Sequence, residues 1–312
     1  MKLSIVIPVY YNEDNLYPLY EDLKEKVFKK IDCDYELILV DDGSKDKSFE
    51  VIKELSMMDE HIVPLKLSRN FGEHSAILAG LSKATGDCVA MKAADLQEPS
   101  EMIIEMLEKY RQGNKVVIAV REDREEAFTR KLASSVYTFI MRKLALSEMP
   151  KGGFDCFLID RQVIDLLNMM EEKNTTLMGQ ILWSGFKSTK IYYTRKKREI
   201  GKSNGTLSKK FKLFFDSIFG FSYFPIKFIS ATGLITFICS MIWLIITIIM
   251  KLNGHITVEG YTTLMILMLM GFGIIMLSLG ILGGYVWRMF DAIRKRPPFI
   301  IDEDPDKTLK NN

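Results

Sequence analysis

Several things are scarce in this chain of 312 residues, and each scarcity excludes something. It has four cysteines, Cys33, Cys88, Cys156 and Cys239, with neither paired nor metal-ligand spacing. A disulfide scaffold is therefore not expected, and a reducing compartment is. The formal net charge is only +2, so overall charge gives no reason to expect nucleic acid as a partner. After the first strand pattern there is neither a G-x-G-x-x-G turn nor a full G-x-x-x-x-G-K-[ST] loop, which excludes the usual dinucleotide fingerprint and the P-loop. Lys2 leads straight into a strand pattern ending at Pro8, so no signal peptide is expected before it.

What is present is a regular alternation of strands and helices. Residues 3–9, 36–40, 62–67, 88–91 and 115–120 read as buried strands. Helical spacing of apolar residues falls between them, near 14–30, 47–57, 73–84 and 99–112. The pattern predicts an α/β fold, a doubly wound parallel sheet with right-handed crossovers. A further helix is expected at 161–171 and a strand near 188–194.

Polar residues recur just after the strands: Glu13, Asp41-Asp42, Arg69-Asn70, Asp95 with Gln97, and Arg121. In a parallel sheet they converge on the C-terminal edge, where open α/β sheets bind ligands. With no glycine-rich phosphate loop, bound phosphates need another counter-charge. Asp95 and Gln97 offer two oxygen ligands suited to a hard divalent cation that also holds phosphate oxygens. Gly152 and Gly153 precede Asp155 and allow close backbone approach there. Residues 195–205 form a basic loop that is either a solvated surface loop or a phosphate-contacting one. Residues 121–150 start highly charged and become amphipathic, reading as a helix packed on the sheet or one touching an acceptor or membrane.

The C-terminal third changes character. Residues 206–227 carry Phe211, Phe214, Phe215 and Ile218 on one helical face and Lys209, Lys210 and Lys212 on the other, the pattern of an interfacial amphipathic helix, with core packing as the alternative. Residues 228–250 and 264–287 are uncharged runs. At ~1.5 Å per residue each is long enough to cross a hydrocarbon layer of ~30 Å. Basic residues flank the outer ends, including Lys227, Arg288, Arg294, Lys295 and Arg296. By the positive-inside rule both termini are expected to be cytoplasmic. The expected organisation is a cytoplasmic domain at 1–205, an interfacial helix at 206–227, two spans, and a cytoplasmic tail at 288–312 that is poorly ordered at its end.

The motifs occur in one order: Ile-Val-Ile-Pro-Val-Tyr-x-Asn-Glu (5–13), Val-Asp-Asp-Gly-Ser (40–44), Ser-Arg-Asn-Phe-Gly (68–72), Ala-Asp-Leu-Gln-Glu-Pro (94–99), Asp-x-x-Leu-Ile-Asp-Arg (155–161) and Arg-x-x-Gly-Lys-Ser (198–203). With the C-terminal apolar hairpin, this series resembles the membrane-anchored polyprenyl-phosphate glycosyltransferases of glycosyltransferase family 2, the group of dolichyl-phosphate mannose synthase and the bactoprenol glucosyltransferases. The resemblance covers almost the whole chain. It implies a GT-A-type nucleotide-sugar transferase domain, and hexose transfer from a UDP- or GDP-sugar donor to a lipid-linked phosphate such as undecaprenyl phosphate in a bacterial plasma membrane, with inversion, for cell-envelope glycan synthesis. A homo-oligomer is compatible with it.

Carried over position by position, the resemblance implies that Pro8, Tyr10, Glu13, Asp41 and Asp42 line the nucleotide pocket. It places Mg²⁺ or Mn²⁺ on Asp95 and Gln97, makes Asp155 the acceptor-side carboxylate, and sets Arg198 and Ser203 on donor and acceptor phosphates. Two departures stand out. Ala93 occupies the first carboxylate position of the usual Asp-x-Asp metal motif, and Asp155 is followed by Cys156-Phe157 rather than Phe-Arg. Alternatives from the same residues are transfer to a lipid-linked saccharide, or a catalytically silent membrane scaffold.

Overall fold

The computed structural model describes residues 1–122, 142–143, 149–150, 153–154, 156–170, 176–194, 222, 224–253 and 260–304. One eight-stranded sheet organises them. Its strands are β1 (Lys2–Val9), β2 (Asp34–Asp41), β3 (Ile62–Leu67), β4 (Cys88–Met91), β5 (Val116–Arg121), β6 (Cys156–Asp160), β7 (Ser188–Tyr193) and β8 (Ile301–Glu303), in the order β7-β5-β6-β4-β1-β2-β3-β8.

The helices are α1 (Glu13–Leu23), extended by a π-helical turn over Lys24–Phe28, then α2 (Ser48–Met58), α3 (Glu73–Lys83), α4 (Met102–Arg111), α5 (Arg161–Met169), α6 (Leu177–Trp183), α7 (Phe224–Leu252) and α8 (Tyr261–Ile293). Alternate side chains along each strand leave the sheet on opposite faces. Leu3, Ile5 and Ile7 thus enter a core with α1, α2 and α4, while Val6, Ile38 and Val40 enter a second core with α3, α5 and α6. The α/β reading of the sequence holds, with helices covering both faces.

Two strands depart from the all-parallel expectation. β6 runs antiparallel between β4 and β5, pairing Met91 with Phe157 and Ala119 with Cys156. The reason is topological. β5 ends at the C-terminal edge of the sheet and β6 begins at that same edge, so residues 122–155 leave and rejoin the sheet on one side. β8 is antiparallel to β3, with Leu67 opposite Ile301, and its outer partners are ion pairs: Lys83 to Asp304 at 2.6 Å and Lys53 to Glu303 at 2.5 Å. The segment after α8 therefore returns to the sheet edge instead of trailing away. Helix α4 starts at Met102, three residues later than the Pro99 start read from sequence.

Helices α7 and α8 contain two stretches long and apolar enough to cross a membrane, Phe224–Trp243 and Met270–Ile293. Neither stretch is buried in the protein, and Leu234, Ile235 and Met276 stand about 60% exposed. A core helix of a soluble domain would hide such residues. The amphipathic segment read at 206–227 lies outside the described residues except Ser222 and Phe224–Lys227, and the helix read within 121–150 lies largely outside them.

Candidate active site

Because β1–β5 and β7 all point the same way, their C-terminal ends share one edge. The loops after β1, β2 and β3 are stitched to one another there. The hydroxyl of Ser44 accepts the Tyr11 N–H at 3.0 Å, and that of Ser48 accepts the Asn12 N–H at 3.0 Å. The Glu13 carboxylate accepts the Lys47 N–H at 2.7 Å. Asp42 uses both oxygens on the next loop, accepting the Phe71 N–H at 2.7 Å and the Gly72 N–H at 2.9 Å. Gly43, at a φ of 68°, lies so close to that loop that a Cβ would stand 2.4 Å from the carbonyl carbon of Arg69, so no other residue fits here.

Asp41 is fully buried and accepts the Ser44 N–H at 3.2 Å. Burial pushes the Asp41 and Asp42 carboxyls up from their ordinary value, against the opposing pull of their N–H donors. In this structure Glu13, Asp41 and Asp42 thus brace the loops that wall the edge. Tyr10 and Tyr11 stand exposed on the rim with their rings edge to face at 4.6 Å, and the Arg69 guanidinium lies over the Phe71 ring at 4.0 Å. Pro8 is half-buried one residue before the end of β1.

The loop after β4 is built differently. Lys92 follows the strand directly and is wholly buried; its ammonium donates to the Glu98 carbonyl at 2.8 Å, closing residues 92–98 into a ring. Burial holds the Lys92 amine below its ordinary range, and the carboxylate of Glu98 is the leading charge that opposes the drop. Within the ring Asp95 accepts the Gln97 N–H at 3.2 Å, and Leu96 takes a left-handed φ of 57°, a strained choice for a branched residue. The far side of the loop is tied to α1: Ser100 donates to Asp22 at 2.5 Å, and Lys26 bridges Asp22 at 2.6 Å and Glu101 at 3.4 Å. A half-exposed Asp95 and a nearly buried Gln97 are thereby fixed beside the end of β4.

Lys92 is the residue that the sequence reading passed over. Its signal was a lone cation inside the apolar run Cys88–Ala94. Among the described residues no three His, Cys, Asp or Glu side chains gather into a metal cage. The donor set of Asp95 and Gln97 still suits Mg²⁺ or Mn²⁺, since Mg²⁺ is commonly held by one or two protein oxygens with substrate phosphates and water completing the shell. Asp155, Arg198 and Ser203 lie outside the described residues. Their neighbours in sequence do reach this edge: Cys156 opens β6 there, and Tyr193 closes β7 there.

An α/β domain of this topology, with an oxygen-bearing loop after its central strand and two long apolar helices behind it, is a GT-A-type transferase architecture with candidate membrane spans. Comparison with known proteins gives the family. The model for glycosyl transferase family 2 matches residues 4–167. The uncharacterized glycosyltransferase YkcC of Bacillus subtilis is 36% identical over 304 residues, covering 97% of this chain and 94% of that protein. CsbB, a putative glycosyltransferase of the same species, is 34% identical, covering 98% and 94%. The prophage bactoprenol glucosyl transferase homolog of Escherichia coli is 33% identical, covering 96% and 98%. The chain belongs to glycosyltransferase family 2 and is a glycosyltransferase.

Proposed function

We propose that this glycosyltransferase moves a sugar, with inversion, from a nucleoside-diphosphate sugar to the phosphate of a polyprenyl carrier at a membrane surface, for envelope glycan assembly. The observation that carries the reading is the conjunction of near-full-length likeness to proteins named bactoprenol glucosyl transferase with an oxygen-bearing edge and two candidate spans in one chain. Helices α7 and α8 would span the bacterial plasma membrane with both termini cytoplasmic, and residues 206–227 would lie at the headgroup level.

The donor, a UDP- or GDP-sugar, would lie across the loops after β1 and β2, with Tyr10 and Pro8 against its base and the braced Asp41-Asp42 turn as a wall. A divalent cation held by Asp95 and Gln97 would neutralise charge on the leaving diphosphate. Lys92 keeps the loop closed, so Asp95 presents its carboxylate without reorganising. Arg198 and Ser203 would contact phosphates from the basic loop. A lipid phosphate is already anionic at neutral pH, so its oxygen can attack the anomeric carbon without a strong base, and Asp155 would orient it.

Membranes carrying the full chain, given a panel of radiolabelled nucleotide sugars and undecaprenyl phosphate, should form an organic-extractable product labile to mild acid. Label found only in longer saccharides would replace the acceptor assignment. Hydrolysis of donor without a lipid product would defeat it.

A further inference from the structure

Away from the transfer edge, a cavity of about 350 Å³ lies between α3, α5 and residues 292–299, where the chain leaves α8 and re-enters the α/β domain. Leu78, Leu167, Met170 and Phe299 supply apolar walls, and Lys295 and Arg296 supply two cations. No carboxylate lines it, and none of its lining residues belongs to the loops after β1, β2 or β4. The volume lies in the range of small-ligand sites, though an apolar wall with two cations on one side is the chemistry of an amphiphile with an anionic head.

Three further observations fix what that amphiphile is. The uncharged run of α8 ends at Trp287 and is followed by Arg288, Arg294, Lys295 and Arg296, so if α8 spans a membrane these cations stand on its headgroup side. The segment that bears them is rigidly anchored: the Ser68 N–H donates to the Ile300 carbonyl at 3.0 Å, Phe299 and Ile301 pack on the second core, and Lys83 pairs with Asp304 at 2.6 Å. Pro297 and Pro298 stiffen the link between the helix and this anchor. The site is thus held at a set position between a membrane helix and the transferase domain.

We infer that this cavity binds the headgroup of an anionic phospholipid, with Lys295 and Arg296 on its phosphate and Leu78, Leu167, Met170 and Phe299 against its glycerol and upper acyl carbons. The inference rests on the reading of α8 as a membrane span. The bound lipid wedges α8 against α3 and α5, and so steadies the domain over the bilayer.

The test uses the full chain in nanodiscs of phosphatidylcholine with or without phosphatidylglycerol, with retained lipid counted by native mass spectrometry. The wild type should retain phosphatidylglycerol in preference to phosphatidylcholine. The double variant Lys295→Gln, Arg296→Gln should lose that preference by about thirtyfold, the scale of removing two juxtamembrane cations. Ser82→Trp fills the cavity from an exposed position on α3 and leaves both cations in place, and it should lose the preference too. Both variants should keep wild-type melting and sugar transfer in phosphatidylcholine.

Equal retention in wild type and variants would overturn the inference, as would displacement of the lipid by inorganic phosphate, which would mark a simple ion site. A chain that fails to float with phosphatidylcholine vesicles would refute the spanning reading itself. A chain that floats but shows no lipid preference refutes only the lipid site.

Discussion

The two edges of the sheet use the same residue types to opposite ends. At the N-terminal edge Glu36 receives a full set of partners: Lys2 at 2.8 Å, the Ser4 hydroxyl at 2.5 Å, and the Thr85 N–H and hydroxyl at 2.7 and 2.8 Å. Burial would raise its pKa, but the bonds from Lys2, Ser4 and Thr85 outweigh it and hold Glu36 below its ordinary value. Close by, Arg161 donates to the carbonyls of Ala84 and Gly86. At the C-terminal edge the balance is reversed: burial raises Asp41 and Asp42 and lowers Lys92. An edge whose charges are all answered is a fastening. An edge whose buried charges are desolvated, beside the loop that bears Asp95 and Gln97, has the setting of a binding site.

The contrast breaks if substitutions at the two edges have the same kind of effect. The largest effect is expected from Asp95→Ala, which should cut sugar transfer about a hundredfold to a thousandfold, the scale of losing several kcal/mol of charge stabilisation, while leaving the melting temperature within a degree or so of wild type. Initial rates with Mn²⁺ or Mg²⁺ and a melting curve read both.

Next is Glu36→Ala, which strands the Thr85 and Gly86 region around a buried hole and should cost about 3 kcal/mol in stability with little change in kcat while folded. Denaturant titration beside single-temperature kinetics checks it; a rate loss without destabilisation would erase the distinction between the edges. Asp42→Asn keeps one acceptor for two loop amides and should cost about 1–2 kcal/mol and raise the KM for donor more than it lowers kcat.

The smallest effect is in pH dependence, and it differs in sign. The depressed Glu36 stabilises the fold above its ordinary value of 4.5, and that contribution is lost as pH falls through its lower folded value. The raised Asp42 does the reverse: its contribution is fully present below the ordinary 3.8 and is lost as pH rises through the higher folded value. Stability curves of Glu36→Gln and Asp42→Asn across the acid range should therefore depart from wild type with opposite slopes.

Much of this architecture could be read from the chain, because parallel strands put their following loops on one edge. The ends of β1, β2, β3 and β4 at Val9, Asp41, Leu67 and Met91 gathered Glu13, Asp42, Asn70 and Asp95 without any structure in hand. β6 could not be read that way. Its buried run Cys156–Ile159 resembles that of β4, and its antiparallel direction depends on where the chain rejoins the sheet after β5, which no local pattern records. β8 is three residues long and exists through pairing with β3 and its ion pairs.

At the site, spacing located the carboxylates but not what they hold. That Glu13 and Asp42 are engaged by the amides of Lys47, Phe71 and Gly72 depends on contacts across 29 to 34 residues. Lys92 was hidden for a related reason: a buried lysine is tolerable only with a carbonyl and a carboxylate folded back onto it, and that loop closure has no sequence period.

The most direct measurement is transfer of labelled sugar to undecaprenyl phosphate by the wild type and by Asp95→Asn, side by side, at saturating donor and Mn²⁺. The C-terminal edge as transfer site predicts an acid-labile lipid product from the wild type, and about one per cent of it or less from the variant at unchanged stability. Equal product from both proteins would contradict it.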